Sequence, residues 1–68
     1  MRIEVEFHPG ASRRAVDLPA ATTGLDLLCA LGLAPDAHLL VRGSTPIPED
    51  EALTEGERIR VVAVVSGG

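Results

Sequence analysis

Residues 22–32 read Thr-Thr-Gly-Leu-Asp-Leu-Leu-Cys-Ala-Leu-Gly, and they carry both ends of a helix. Thr23 is suited to cap the start, with Asp26 three residues later as the acidic half of a capping box. Leu25, Leu28 and Cys29 fall at i, i+3 and i+4, and Leu27 and Leu31 widen that stripe into a core-facing side. The same spacing places Cys29 in the packed interior, away from any reactive surface. Gly32 stands where a left-handed cap is wanted, and Pro35 forbids continuation. One helix is therefore expected over residues 22–31, and the segments on either side of it read as strands.

Upstream, residues 2–7 (Arg-Ile-Glu-Val-Glu-Phe) alternate with the period of a half-buried strand, Ile3, Val5 and Phe7 inward and Arg2, Glu4 and Glu6 toward water. Pro9-Gly10 marks a turn, and residues 13–18 resume an extended pattern with Val16 and Leu18 on one face, which predicts a hairpin. Downstream, residues 38–42 (His-Leu-Leu-Val-Arg) form a short strand ending at Gly43. Its reading places Leu39 and Val41 inward and His38, Leu40 and Arg42 outward. The stretch 44–56, with Pro46, Pro48 and the acidic run Glu49-Asp50-Glu51, reads as turns around a very short strand near Ile47, and Leu53 plugs the core from below. Residues 57–65 make the longest apolar strand, Ile59, Val61, Ala63 and Val65 inward, Arg58, Arg60, Val62 and Val64 outward.

One helix cannot cover both faces of a sheet. The architecture is therefore α+β, a mixed sheet of four to five strands with the helix packed across one face and the first and last strands parallel at its centre. The expected organisation is a single domain over residues 1–65 and a flexible Gly-Gly tail over 66–68.

Composition narrows the function. A domain of 68 residues buries only about 60% of its unfolded surface, leaving little room for a catalytic cleft beside the core. Phe7 is the only aromatic residue, so the core is aliphatic. A net charge of −4 argues against direct nucleic-acid binding. All six bases are arginines (Arg2, Arg13, Arg14, Arg42, Arg58 and Arg60), and no lysine is present. Biased composition accounts for this without function; alternatively, a chain with an activated C-terminus gains from carrying no competing amine. A single cysteine excludes an internal disulfide, and no metal-ligand spacing is present. Neither a signal peptide nor an apolar run of the ~18 residues needed for a membrane span is visible, so the expected location is the cytoplasm.

The element order resembles that of the β-grasp ubiquitin-like proteins, in their prokaryotic sulfur-carrier branch: ThiS, MoaD, the small archaeal modifiers and relatives of the ubiquitin-related modifier. The residues that carry it are Val41-Arg42-Gly43, Pro46-Ile47-Pro48-Glu49-Asp50, Leu53, Gly56, Ile59, Val61, and the ending Val65-Ser66-Gly67-Gly68. The tail lacks the prolines frequent in MoaD-like chains, and the compact length looks more like the modifiers and the tRNA-thiolation carriers.

The resemblance implies a carrier and not an enzyme. Gly68 would be adenylated by a ubiquitin-activating-like adenylyltransferase and converted to a thiocarboxylate by a sulfur donor. ATP is used by that partner, and the chain itself binds no cofactor. The acceptor would be a tRNA thiolase for 2-thiolation; alternatives are a molybdopterin synthase or, for a protein modifier, target-protein lysines. A non-transferring β-grasp interaction module would not need the terminal glycine. Independently of any family, two glycines reach backbone conformations closed to other residues and can thread a narrow channel. Ser66, Gly67 and Gly68 extended span about 10 Å, which makes them the segment expected to enter the activating enzyme.

The outer sheet face supplies the second expected site. With the strand phases above, Leu40, Val62 and Val64 form an exposed apolar patch beside the tail, ringed by Arg42 and Arg60, and such a patch marks a docking surface. A one-residue slip of register would bury these residues instead. His8 and His38 read as surface histidines, Glu49-Asp50-Glu51 as a solvated turn or an acidic docking point, and Arg58 and Arg60 as cross-strand partners of Glu4 and Glu6.

Overall fold

The computed structural model describes residues 1–64. It contains β1 (Arg2–His8), β2 (Arg13–Asp17), α1 (Gly24–Leu31), a 3-10 turn (Pro35–Ala37), β3 (His38–Arg42), β4 (Thr45–Ile47) and β5 (Arg58–Ala63). The strands form one sheet in the order β2-β1-β5-β3-β4. β1 and β2 are the predicted hairpin, and β1 runs parallel to β5 at the centre. β5 covers Arg58–Ala63 of the stretch 57–65 expected to be extended. The predicted inward position Val65 lies outside the described residues.

The helix begins and ends for the reasons its sequence contains. Thr23 is extended and accepts from the Asp26 amide at 3.3 Å, while Asp26 Oδ2 accepts from the Thr23 amide at 3.1 Å, so both halves of the capping box are present. At the other end Gly32 is left-handed (φ 73°), and the Leu33 amide reaches back to the Leu28 carbonyl at 2.9 Å, the six-to-one bond of a glycine-capped helix end. Two further helix-start amides are satisfied from far along the chain: Gly24 donates to the Glu51 carbonyl (3.0 Å) and Leu25 to the Glu49 carbonyl (2.7 Å). The loop between β4 and β5 thus completes the helix N-terminus, whose first amides have no partner within the helix itself.

The core lies between α1 and one sheet face. It comprises Ile3, Val5, Leu18, Leu27, Leu28, Leu40, Leu53, Ile59 and Val61, all aliphatic, with Met1, Phe7, Val16, Leu31, Leu33 and Ile47 packed at its margin. The buried side of the helix is Gly24, Leu27 and Leu28, with Leu31 at its edge. That stripe is phased one residue earlier than the expected Leu25, Leu28, Cys29. Cys29 is consequently exposed, correcting its assignment to the core.

A second correction concerns β3. Leu40 is 3% exposed and Leu39 51%, so the strand faces the opposite way from its sequence reading. Three contacts enforce this. Leu40 lies opposite Val61 of β5 and Ile47 of β4, both on the core side. Gly24 leaves it room: a Cβ there would sit 2.3 Å from Leu40 Cδ1. Arg42, on the same face as Leu40, reaches past the core rim to acidic partners. Its guanidinium donates to Glu57 Oε1 (2.7 Å), Glu57 Oε2 (3.2 Å), Glu51 Oε2 (2.9 Å) and the Ala52 carbonyl (3.0 Å).

Candidate functional site

The outer sheet face, opposite α1, divides into a charged half and an apolar half. In the charged half, parallel pairing sets Glu4 beside Arg58 and Glu6 beside Arg60, and the side chains pair at 3.3 Å in both cases. Glu6 is the hub: His8 Nε2 lies 2.8 Å from its Oε1 and Arg13 Nε 3.5 Å from its Oε2. The His8 hydrogen bond, against an opposing contribution from burial and with Arg60 assisting, holds the Glu6 carboxyl below the usual range. Gly43, with no side chain to offer, lines a depression of about 230 Å³ together with Glu6, Val41, Arg58 and Arg60. The cross-strand pairing foreseen for Arg58 and Arg60 is therefore present.

In the apolar half, Leu39 lies directly opposite Val62, and Val41 opposite Arg60. Leu39 is the exposed large aliphatic side chain of the face, and Val41, Val62 and Val64 are half-buried around it. The Val64 amide donates to the Ala37 carbonyl at 2.9 Å, which fixes the chain beside β3 at the point where the tail begins. An apolar patch therefore does lie at the root of the tail, but its composition differs from the expectation. Leu40 is replaced by Leu39, because β3 is flipped by one residue. Arg42 drops out, because it sits on the helix side and its donors are engaged by Glu51, Glu57 and Ala52. Arg60 stays at the patch edge, already matched by Glu6. Ser66, Gly67 and Gly68 lie outside the described residues.

Several of the remaining titratable groups have structural employment. Hydrogen bonds donated to Glu57 and then to Glu51 raise the Arg42 guanidinium further above its ordinary value. Burial pushes the Glu57 carboxyl up, but the bonds from Arg42 and from the Thr54 amide outweigh it and leave it below the usual range. Glu51 therefore belongs to a clamp on β3, while Glu49 and Asp50 are exposed. His38 Nδ1 lies 2.8 Å from the Ala34 carbonyl. Among the described residues, no three His, Cys, Asp or Glu side chains gather where they could hold a metal ion, and no helix is long and apolar enough to cross a membrane.

Comparison with known proteins bears on what such a surface serves. Residues 1–65 match the family model of small archaeal modifier protein 2. The chain belongs to that family. It is thus a ubiquitin-like modifier protein and not an enzyme. The crystal structure of small archaeal modifier protein 1 from Haloferax volcanii superposes with a TM-score of 0.75 at 22% identity, covering all of both chains. The ubiquitin of Caldiarchaeum subterraneum superposes with a TM-score of 0.72 at 17% identity, covering all of this chain and 98% of that one. These two likenesses establish the β-grasp fold. An uncharacterised protein of Archaeoglobus fulgidus is 37% identical over 43 residues, which span 63% of each chain, so less than two thirds of that relative's length is matched.

Within the modifier fold, Leu39 is the surface residue that strand alternation missed. The signal that locates it is the β3–β4 hairpin: Gly43-Ser44 is a two-residue loop with glycine at positive φ (63°), closed by Arg42 opposite Thr45. Counting back from it pairs Leu40 with Ile47, the one aliphatic residue of β4, and sends both inward.

Proposed function

We propose that this modifier acts through the carboxylate of Gly68, which an ATP-dependent activating enzyme adenylates. The carboxylate oxygen attacks the α-phosphate, pyrophosphate leaves, and an acyl-adenylate remains. A sulfur donor then displaces AMP to give a thiocarboxylate, whose sulfur passes to a tRNA thiolase for 2-thiolation. The observation that carries the reading is an exposed apolar patch, Leu39 with Val41, Val62 and Val64, placed where β5 hands over to a Ser66-Gly67-Gly68 tail. Docking through that patch leaves side-chain-free glycines free to enter a channel toward the nucleotide. Because the arginines of the face are matched by Glu4 and Glu6, the patch contributes apolar contact and not net charge.

A second reading, transfer of the same activated carboxyl to target-protein lysines, is favoured by the family's description as modifiers. The two share every step up to the adenylate. ATP–pyrophosphate exchange with the cognate activating enzyme tests that shared part. Removing Gly68 is expected to abolish exchange and Leu39→Glu to weaken it with little loss of stability. Undiminished exchange without Gly68 would refute the reading. Deleting the gene then separates the destinations: loss of 2-thiouridine from tRNA supports the carrier role, and loss of Gly-Gly remnants on lysines with thiouridine intact supports the modifier role. Lost molybdoenzyme activity with normal thiouridine would move the sulfur to molybdopterin.

A further inference from the structure

No lysine occurs in the chain, so its amines reduce to that of Met1. The structure shows this amine in use. It donates to the Leu18 carbonyl at 2.6 Å, and the Leu18 amide returns a bond to the Met1 carbonyl at 2.7 Å. A Glu55 carboxylate oxygen lies 4.0 Å from the nitrogen, and the other oxygen of that carboxylate accepts from the Arg2 amide at 3.0 Å. The Met1 side chain is 9% exposed and packs against the core. To attack an acyl group, the nitrogen must lose a proton and turn its lone pair onto the carbonyl carbon. Here the amine is held by its bond to the Leu18 carbonyl, just beyond β2, and the returning Leu18 bond and the packed Met1 side chain restrict its reorientation. The six arginines offer no substitute, because a guanidinium remains protonated and has no lone pair to give.

We infer that, within these 68 residues, the chain is an acyl donor and not an acceptor: a conjugate carries it as a single capping unit, and it builds no chain of itself. The inference rests on the proposed activation of Gly68. In the transfer, the target's amine nitrogen bonds to the Gly68 carbonyl carbon. The carbon–oxygen bond to the adenylate breaks, AMP leaves with the electron pair, and the nitrogen releases a proton to solvent. The exposed Cys29 thiol can take the acyl group only as a thioester, which excess thiol reverses.

Reaction of the unmodified chain with an acetyl succinimidyl ester, read by mass spectrometry at Met1, tests the inference without any activating enzyme. Acetylation should be roughly tenfold slower in the folded protein than in concentrated urea, the order of effect that two ordinary hydrogen bonds supply. Equal rates overturn the inference, whereas absent pyrophosphate exchange overturns only the activation reading. A second arm uses the chain bearing a thioester at Gly68, incubated with Nα-acetyl-lysine and excess thiol. The expected product is the acetyl-lysine adduct alone. Arg14→Lys, which puts an amine on the exposed β2 strand, should add an amide-linked dimer. A dimer or a Gly68–Met1 ring from the unaltered chain, stable to thiol, overturns the inference.

Discussion

Truncating Leu40 to alanine removes a side chain that is 3% exposed and fills the space left by Gly24, between Val61 and Ile47. Large-to-small changes at such sites cost about 2–5 kcal/mol, through lost burial and the cavity left behind. A chain of 68 residues has a total stability of roughly 3–10 kcal/mol at typical values per residue, so the loss is a substantial fraction of the total. At roughly 4–8 °C per kcal/mol for a domain of this size, even the lower cost lowers the Tm by about 8–16 °C. Leu39→Ala, at a 51% exposed position, should stay within about 0.5 kcal/mol of the parent. Urea titration followed by far-UV circular dichroism is the assay, since the chain has no tryptophan or tyrosine to report by fluorescence. Both variants should keep the parental denaturant slope, so that midpoints compare directly. If the two costs are reversed, large for Leu39→Ala and small for Leu40→Ala, the facing of β3 is wrong and Leu40 is the exposed leucine of the outer face.

Gly24→Ala should destabilise by about 1–3 kcal/mol although alanine favours helices, because the new Cβ meets Leu40 Cδ1 at 2.3 Å; a more stable variant would show that Leu40 has free space. The Arg42–Glu57 pair stabilises the fold at neutral pH. That contribution begins to fall as pH drops through the ordinary glutamate value of 4.5 and is lost below the depressed folded value. Arg42→Met should therefore lower the Tm at neutral pH and flatten its acid dependence, and parallel Tm–pH curves for variant and parent would contradict this. Cys29→Ser should leave stability within about 0.5 kcal/mol, and in the folded parent a thiol reagent should react with Cys29 as fast as in urea; strong protection would place it back in the core.

Much of this molecule was legible because its punctuation is local. Thr23, Asp26 and Gly32 fix the helix ends through contacts with residues close in sequence, and Pro9-Gly10 fixes the first hairpin, so neither needed tertiary information. The phases were harder. In α1 the buried stripe starts at Gly24, which contributes space and no apolar side chain, so a hydrophobic count begins one residue late and sweeps Cys29 inward. In β3, alternation offered two aliphatic residues on one face, Leu39 and Val41, against one on the other, and the arithmetic favoured the wrong side. What decides is a contact between distant segments, Leu40 against Gly24, together with a charged residue that core-side placement does not strand. Arg42 can face the helix side only because Glu51 and Glu57 wait there, 9 and 15 residues away in sequence. The candidate patch inherited the same error: its central leucine was off by one.

The parallel pairing of β1 with β5 also determines how the molecule bears load. Five register pairs, from Glu4 with Arg58 to His8 with Val62, join the strand that starts the domain to the strand that leads to the tail. A pull on the tail against an anchored Met1 runs along both strands in opposite senses. It strains those backbone bonds together, in shear, and does not peel them one at a time as it would at a hairpin end. Traction applied through the diglycine by a processive unfolding machine therefore meets the strongest mechanical element of the fold first. Traction applied through a side chain on β2 or β4, the two edges, meets the weakest.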